Sequence, residues 1–242
     1  MNRSFLLPEV RKLTARPMPR FPPRHEVPEF TIFSSLLRTT TEYGFSSVRD
    51  QLVDDIRFAY PTKWEDFQGA KVLGEAVFGS PKPHPNAVLN LFEAESVRFA
   101  VPFAAYRASI GGFCTLMNDE PGTILSRRTL ATTIHGMHVL QSLASDAARV
   151  AVYGGYLRVC PDKACIFSVE IGHVEKRAMA MEKIYSAMIG QREGGLLSPP
   201  FLGHLLCTRC AKFVEKIHSP SRSLLWEKLA PAFNIGCGRD DL

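Results

Sequence analysis

The segment that decides the fold is CTRCAKFVEKIHSPSRSLLWEKLAPAF (residues 207–233), which joins a pair of cysteines to an amphipathic stretch. Two cysteines separated by two residues can direct both of their thiolates at one metal ion. The stretch that follows has apolar residues at helical spacing and carries two large aromatic residues, Trp226 and Phe233, near its end. We therefore predict a helical element that closes the hydrophobic core, with Trp226 and Phe233 as core residues.

Pro220 interrupts this segment. Proline lacks the backbone N–H that a helix interior needs, but it is well tolerated at the first position of a helix. With Ser219 before it as a cap, Pro220 predicts either two helices or one kinked helix.

A second cysteine pair, Cys160 and Cys165, encloses a short polar loop earlier in the chain. Tetrahedral zinc takes four soft ligands, and two such loops side by side would form a closed structural site. That site would tie together the helices that follow Cys165 and Cys210. The alternative is four buried free thiols, because cysteine is often buried without a ligand. The spacing leaves both interpretations open.

The other cysteines and two histidines complete the set of candidate ligands. Cys114 and Cys237 have no cysteine near them in the sequence, and we expect both to be unligated. Either His173 or His204 could replace one of the four thiolates.

Other pairs of reactive side chains do not form a recognisable active site. His135 and His138 lie one helical turn apart, but the glutamate of an HExxH motif and a third ligand are missing, so we predict a partly exposed structural pair. Cys210 and His218 could act as nucleophile and base, but the sequence indicates no group to orient the base. The chain also lacks a phosphate-binding loop, a GxGxxG motif and a GxSxG motif. We therefore expect that the protein is not an enzyme.

The composition is that of a soluble globular protein, with 242 residues of which 45% are hydrophobic and 22% are charged. The net charge of +5 is spread along the chain, so nucleic-acid binding is permitted but not favoured. No apolar run is long enough to cross a membrane, and the run at residues 5–7 is too short for a signal peptide. We therefore expect an intracellular protein, cytoplasmic or nuclear, where paired cysteines bind metal more often than they form disulfides.

Residues 1–29 differ in composition from the rest of the chain. Six prolines alternate there with five arginines, and proline fixes the backbone and removes hydrogen-bond donors. We expect an extended or disordered arm, in which Pro19-x-x-Pro22 could act as a polyproline II ligand. The predicted organisation is this arm, a helical domain over residues 30–235 and a tail over residues 236–242.

From Phe30 onward, apolar residues recur at intervals of three and four, which is typical of helices buried on one face. Two short helices are predicted before Pro61, followed by a loop to Pro85 with one helical turn at Trp64. Asn86 is predicted to cap the next helix.

The longest helical pattern begins after Ser126, a predicted cap, and runs through Ala147. Residues 115–122 before it are predicted to form a loop. Another helix is predicted over residues 174–189, between the two cysteine pairs. The fold class that follows is all-α, an irregular domain of about seven to nine helices with a proline-rich N-terminal arm.

Several short patterns, taken in order, resemble one protein family. They are FSSLLR (33–38) with TEYGFSSVR (41–49), Pro61-Thr62 with Trp64, His84-Pro85, Leu125-Ser126 through Leu130 and Gly136, the loop of Cys160 and Cys165, and the set Cys207, Cys210, Arg222, Trp226, Leu229 and Phe233. Their order is similar to that in the helical region that follows the BTB/POZ domain in basidiomycete fungal BTB proteins. The last set resembles that region's terminal pattern, C--C … R---W--LP-F, and has its spacing from Arg222 through Trp226 to Leu229.

The resemblance covers roughly residues 30–233 and implies an all-helical region. In that family the preceding BTB domain mediates dimerisation and protein interaction, and in some relatives it recruits cullin ubiquitin ligases. Residues 1–29 are too few and too rich in proline to form that domain, so these two properties are not carried over. Pro220 and Ala230 also depart from the family's terminal helix. The recurrence of both cysteine pairs favours a structural zinc.

Together these features predict a noncatalytic protein-interaction or adaptor module, with a protein partner and with structural zinc as its cofactor. A thiol enzyme that uses Cys207 or Cys210 is one alternative. Another is a transcriptional or nucleic-acid-binding zinc protein that presents basic residues of the cysteine loops, namely Arg158, Lys163, Arg209 and Lys212.

Overall fold

The computed structural model describes residues 28–69, 78–79, 81–156, 160–162, 165–168, 174–189, 195–197 and 206–233. These ranges contain helices and connecting turns and no β-strand, which confirms the all-α prediction. The arm up to residue 27, with Pro19-x-x-Pro22, and the predicted tail lie outside the described residues.

Ten α-helices occur in the described part of the chain, rather than the seven to nine predicted, because three short helices accompany seven longer ones. They are α1 (Phe30–Glu42), α2 (Ser46–Ala59), α3 (Trp64–Gly69), α4 (Pro85–Ala94), α5 (Val101–Ile110), α6 (Gly112–Leu116), α7 (Arg127–Tyr156), α8 (Val174–Ile189), α9 (Thr208–Glu227) and α10 (Leu229–Ala232).

The cap predicted for α7 is confirmed, whereas the cap predicted for α4 is wrong. The Ser126 hydroxyl accepts the backbone N–H of Thr129 at 3.1 Å, which satisfies one free donor of the first turn of α7. The cap of α4 is His84, whose Nδ1 accepts the backbone N–H of Asn86 at 3.3 Å. Pro85 then occupies the first helical position, where it needs no donor.

Asn86 instead fixes a segment that is distant in sequence. Its side-chain amide donates to the carbonyl of Thr115 at 2.9 Å, and that of Asn90, one turn later, donates to the carbonyls of Gly122 and Ile124 at 3.1 and 3.0 Å. The loop predicted over residues 115–122 begins two residues later than expected, because α6 continues to Leu116. Both ends of this loop are therefore held against α4.

The helix α9 passes through Pro220 without ending, so the predicted cap at Ser219 is wrong. Proline cannot donate to the carbonyl of Lys216, four residues earlier. Both Pro220 and Lys216 are exposed, and water can therefore satisfy that carbonyl. The chain turns instead at Lys228, between α9 and α10.

The larger of two hydrophobic clusters is the main core, built from α1, α2, α4, α5 and α6, the N-terminal part of α7, the C-terminal end of α9 and α10. Burial of these apolar side chains is the main stabilising contribution to the fold. Its most deeply buried large side chains are Phe33, Leu37, Leu52, Ile56, Leu89, Leu91, Phe92, Leu116, Leu140 and Phe233.

Trp226 attaches the end of α9 to the main core through three aromatic rings. Its ring centroid lies 6.0 Å from that of Trp64, 4.9 Å from Phe67 and 5.4 Å from Phe103. Its indole N–H donates to the carbonyl of Thr62 at 3.2 Å. A buried indole N–H needs such an acceptor. This hydrogen bond therefore satisfies the N–H group and also fixes the orientation of the ring.

Phe233, immediately after α10, is fully buried against the backbone of α7. The contact on α7 is Gly136, where an added Cβ would lie 2.1 Å from Cδ1 of the Phe233 ring. The ring thus occupies the space that a side chain at position 136 would need.

The smaller cluster, which we call the second cluster, lies where the C-terminal part of α7, α8 and the first turns of α9 meet. Because α7 and α9 contribute to both clusters, they connect the main core to this region. Its buried members are Ala148, Cys160, Cys165, Phe167, Met181, Ile184, Leu206, Cys210 and Val214.

Candidate metal centre

Four cysteines from two separate segments converge in the second cluster. The Sγ atoms of Cys160, Cys165, Cys207 and Cys210 all lie within 4.8 Å of one another, and those of Cys160 and Cys207 are 3.6 Å apart. All four are free thiols. Four sulfurs bound at about 2.3 Å to one tetrahedral zinc would lie about 3.8 Å apart. The two cysteine pairs thus come together to within about 1 Å of the spacing that a four-thiolate metal site requires.

The first pair is held by a turn with three backbone hydrogen bonds. The N–H of Cys160 donates to the carbonyl of Phe167 at 2.9 Å, and the N–H of Cys165 donates to that of Asp162 at 3.0 Å. The N–H of Ser168 donates to the carbonyl of Cys165 at 2.8 Å. The Phe167 side chain is buried in the second cluster, so packing anchors the turn that brings Cys160 and Cys165 close together.

The second pair lies at the N-terminus of α9. Cys207 is the cap residue, and its carbonyl accepts the N–H of Ala211 at 2.9 Å. Cys210 falls in the first turn, three residues later, and residues at that spacing share one face of a helix. The partial positive charge of a helix N-terminus favours negative charge, and therefore thiolates, at these positions.

Burial and the neighbouring backbone act differently on these thiols. The backbone N–H of Cys210 near the sulfur of Cys207 lowers the pKa of that thiol to about 7. Burial raises the pKa of Cys165 and that of Cys210. A divalent cation bound among the sulfurs would offset this penalty, because it stabilises thiolates and releases their protons.

The arrangement is a closed one. Cys160, Cys165 and Cys210 are buried and Cys207 is partly exposed. Four protein sulfurs complete a tetrahedron and leave no position for a substrate, so such a site holds structure together rather than catalysing a reaction. Its chemistry therefore suits a structural metal better than a thiol enzyme.

The remaining candidate ligands that the structure describes are not part of this cluster. Cys114 is exposed on α6, and His135 and His138 are exposed on α7. The other candidates, His173, His204 and Cys237, lie outside the described residues.

The positions of Cys210 and His218 do not suit a nucleophile and its base. They lie eight residues apart on α9, which corresponds to about 12 Å along a helix. His218 is also buried, and burial together with the charge of Arg222 lowers the pKa of its imidazole to about 4.

His218 belongs to a group that the sequence analysis does not predict, the polar strip of Glu215, His218 and Arg222 on α9, in which His218 and Arg222 are buried and Glu215 is partly exposed. The Arg222 guanidinium donates to the Glu215 carboxylate, while His218 Nδ1 and Arg222 Nε are buried without a hydrogen-bond partner. The strip lies between Val214 of the second cluster and Leu225 of the main core. Its spacing of three and four residues was visible in the sequence and is the signal that could have revealed it.

Of the basic residues in the nucleic-acid alternative, Arg209 and Lys212 are exposed on α9, and Arg158 and Lys163 lie outside the described residues. Comparison of the chain with protein-family models, with curated proteins and with solved structures gives no match. Among the described helices, none combines the length and the apolar character needed to cross a membrane.

Proposed function

We propose that this chain is a noncatalytic protein-interaction module whose C-terminal helices are tied together by one structural zinc ion, with Cys160, Cys165, Cys207 and Cys210 as its ligands. The observation that carries the proposal is the convergence of four free thiols within 4.8 Å. Unrelated buried cysteines have no reason to gather in this way from two distant segments.

Zinc is the metal that best suits this set of ligands. Thiolates are soft ligands, and a closed tetrahedral group of four is typical of structural zinc sites. Each pair comes from a short, hydrogen-bonded segment, so binding would require little rearrangement of the backbone. The ion would fasten the segment after α7 to the start of α9 and so hold α8 between them.

The metal would supply stability where the hydrophobic contribution is small. The second cluster contains few large apolar side chains, of which Phe167 and Ile184 are the most deeply buried. Structural zinc sites can contribute folding free energy of about 10 kcal/mol or more in small domains. A staple at this end would therefore fix helices that apolar packing holds only in part.

An interaction role is supported by apolar side chains at the surface. Phe113 on α6 and Met117, the residue that follows α6, lie one turn apart and are 61% and 47% exposed, and Ile124 in the following loop is 63% exposed. Large exposed apolar groups that lie near one another are typical of protein-binding surfaces. The motifs shared with the helical region of basidiomycete BTB proteins support the same class of function.

The test of the metal is elemental analysis of protein purified under reducing conditions. We expect one zinc per chain, lost from each of the variants Cys160→Ala, Cys165→Ala, Cys207→Ala and Cys210→Ala. The matched control is Cys114→Ala, which should retain the ion because Cys114 is exposed and outside the cluster. A folded wild-type protein without metal would refute the zinc assignment.

The test of the interaction is affinity capture from the native extract with a double variant, Phe113→Ser with Met117→Ser. Proteins that bind through this surface should be enriched by the wild type and lost from the variant. Val150→Ser is the control, since Val150 is an exposed apolar residue of α7. If the wild type enriches no protein over the double variant, this surface is not an interaction site.

A further inference from the structure

The four cysteines of the candidate metal centre differ in their access to solvent. Cys160, Cys165 and Cys210 are 5%, 2% and 1% exposed, whereas Cys207 is partly exposed. The two residues after Cys207, Thr208 and Arg209, are exposed as well. A dissolved oxidant can therefore reach the sulfur of Cys207 more readily than the other three.

Cys207 also has a second sulfur within easy reach. The Sγ atoms of Cys207 and Cys160 are 3.6 Å apart, and a disulfide requires about 2.05 Å. The approach needs a movement of about 1.5 Å, which is the difference between contact and the bonded distance. Cys207 precedes the first helical residue of α9, and Cys160 lies in a turn. Both side chains can therefore move without breaking a helix.

We propose that Cys207 is the site at which hydroperoxides modify this protein, and that Cys160 then forms a disulfide with it and displaces the metal. The displacement rests on the proposed zinc site, while formation of the disulfide rests only on the juxtaposition of the two sulfurs.

The chemistry consumes one hydroperoxide and two thiolates. The Cys207 thiolate attacks the O–O bond, so an S–O bond forms, the O–O bond breaks, and hydroxide leaves when the oxidant is hydrogen peroxide. The Cys160 thiolate then attacks the sulfenic sulfur of Cys207, so that the S–S bond forms, the S–O bond breaks and a second hydroxide leaves. The two sulfurs lose two electrons in total, the peroxide gains them, and both hydroxides take protons from solvent.

The disulfide would join the same two segments that the metal joins. The turn of the first cysteine pair and the start of α9 thus remain connected after oxidation, through a covalent bond instead of an ion. Cys165 and Cys210 are left as two buried thiols, too few to retain zinc in a four-ligand site.

The experiment treats the full-length protein, after its zinc content has been measured, with hydrogen peroxide. Zinc release is followed with a chromogenic chelator, and free thiols are then alkylated and the protein is digested with trypsin. Cleavage after Arg158, Lys163, Arg192, Arg209 and Lys212 places each of the four cysteines in its own peptide. We expect loss of one zinc per chain and one disulfide-linked pair, VCPDK (159–163) with EGGLLSPPFLGHLLCTR (193–209).

Two variants, studied without metal, separate the steps. In Cys160→Ser the second thiol is missing, so a sulfenic acid should accumulate on Cys207 and react with dimedone. In the matched variant Cys165→Ser the disulfide between Cys160 and Cys207 should still form. A disulfide that instead links Cys207 to Cys210, or a Cys207 that remains alkylatable after the other cysteines are oxidised, would overturn the proposal.

Absence of zinc before oxidation would contradict the proposed metal site alone. The linkage between Cys160 and Cys207 would then still be tested in the metal-free protein, so the two proposals fail in distinguishable ways.

Discussion

Gly136, in the middle of α7, is the position where the helix backbone and the ring of Phe233 are in direct contact. In Gly136→Ala, the new Cβ would lie 2.1 Å from Cδ1 and 2.4 Å from Cε1 of that ring. Favourable contacts between carbon atoms occur at about 3.5–4.0 Å. The ring would therefore have to move by more than about 1 Å, and Phe233 is fully buried.

Two effects of opposite sign determine the magnitude. Alanine is favoured over glycine in a helix interior by about 0.5–1 kcal/mol. Forcing an extra carbon into a packed core costs about 1–3 kcal/mol. We therefore expect Gly136→Ala to lower the free energy of unfolding by about 1 kcal/mol, because the difference between these two effects spans about 0–2.5 kcal/mol. A helix-propensity argument alone predicts the opposite sign.

The assay is urea unfolding followed by far-UV circular dichroism, for the wild type, Gly136→Ala, Phe233→Ala and the double variant. Phe233→Ala alone should lower the free energy of unfolding by about 3–5 kcal/mol because it leaves a cavity. In the Phe233→Ala background no ring blocks the new Cβ, so Gly136→Ala should raise the free energy of unfolding. The reasoning is refuted if Gly136→Ala has the same effect in both backgrounds, or if it stabilises the wild type.

Three further predictions concern other parts of the fold. Ser96, just after α4, has a φ of 56°, a backbone conformation that favours glycine. Ser96→Gly should therefore raise the free energy of unfolding by about 1 kcal/mol. A lower urea midpoint for this variant would contradict the prediction. Because the pKa of His218 falls from 6.5 to about 4 on folding, the unfolded chain binds the extra proton, and stability should be lost as pH falls from 6.5 to 4. In His218→Gln that loss should be smaller, and identical pH profiles in urea titrations would exclude the effect. Removal of the proposed zinc by a chelator should accelerate hydrogen exchange in α8 and the first turns of α9 while α5 stays protected. Equal acceleration in α5 would show that the two clusters unfold together.

Local features of the chain allowed much of this fold to be predicted from sequence. The Ser126 cap and the apolar spacing after it identify α7 because both act within a few residues. The convergence of the cysteine pairs was also predictable, since ligand chemistry alone gives a reason for two short loops to meet. In each case both interacting groups can be recognised from the sequence alone.

The errors occur where the partner is distant in sequence or is water. Asn86 is of a residue type that often caps helices. Its side-chain amide instead donates to the carbonyl of Thr115 in a tertiary contact, and His84 caps α4. Pro220 remains inside α9 because its position faces solvent. The polar strip of Glu215, His218 and Arg222 was missed for a similar reason, since its burial depends on how α9 lies between the two clusters.

The placement of the two tryptophans determines what a fluorescence experiment on this protein will report. Trp64 and Trp226 are the only tryptophans of the chain, and their rings lie 6.0 Å apart in the main core. Their emission therefore follows the junction of α3, α5 and α9, whereas the second cluster, as far as the structure describes it, contains no tryptophan. If the end that contains the second cluster opens before the rest, ellipticity will change while tryptophan emission stays constant. Two transitions that fail to coincide would thus be the optical signature of partial unfolding at that end.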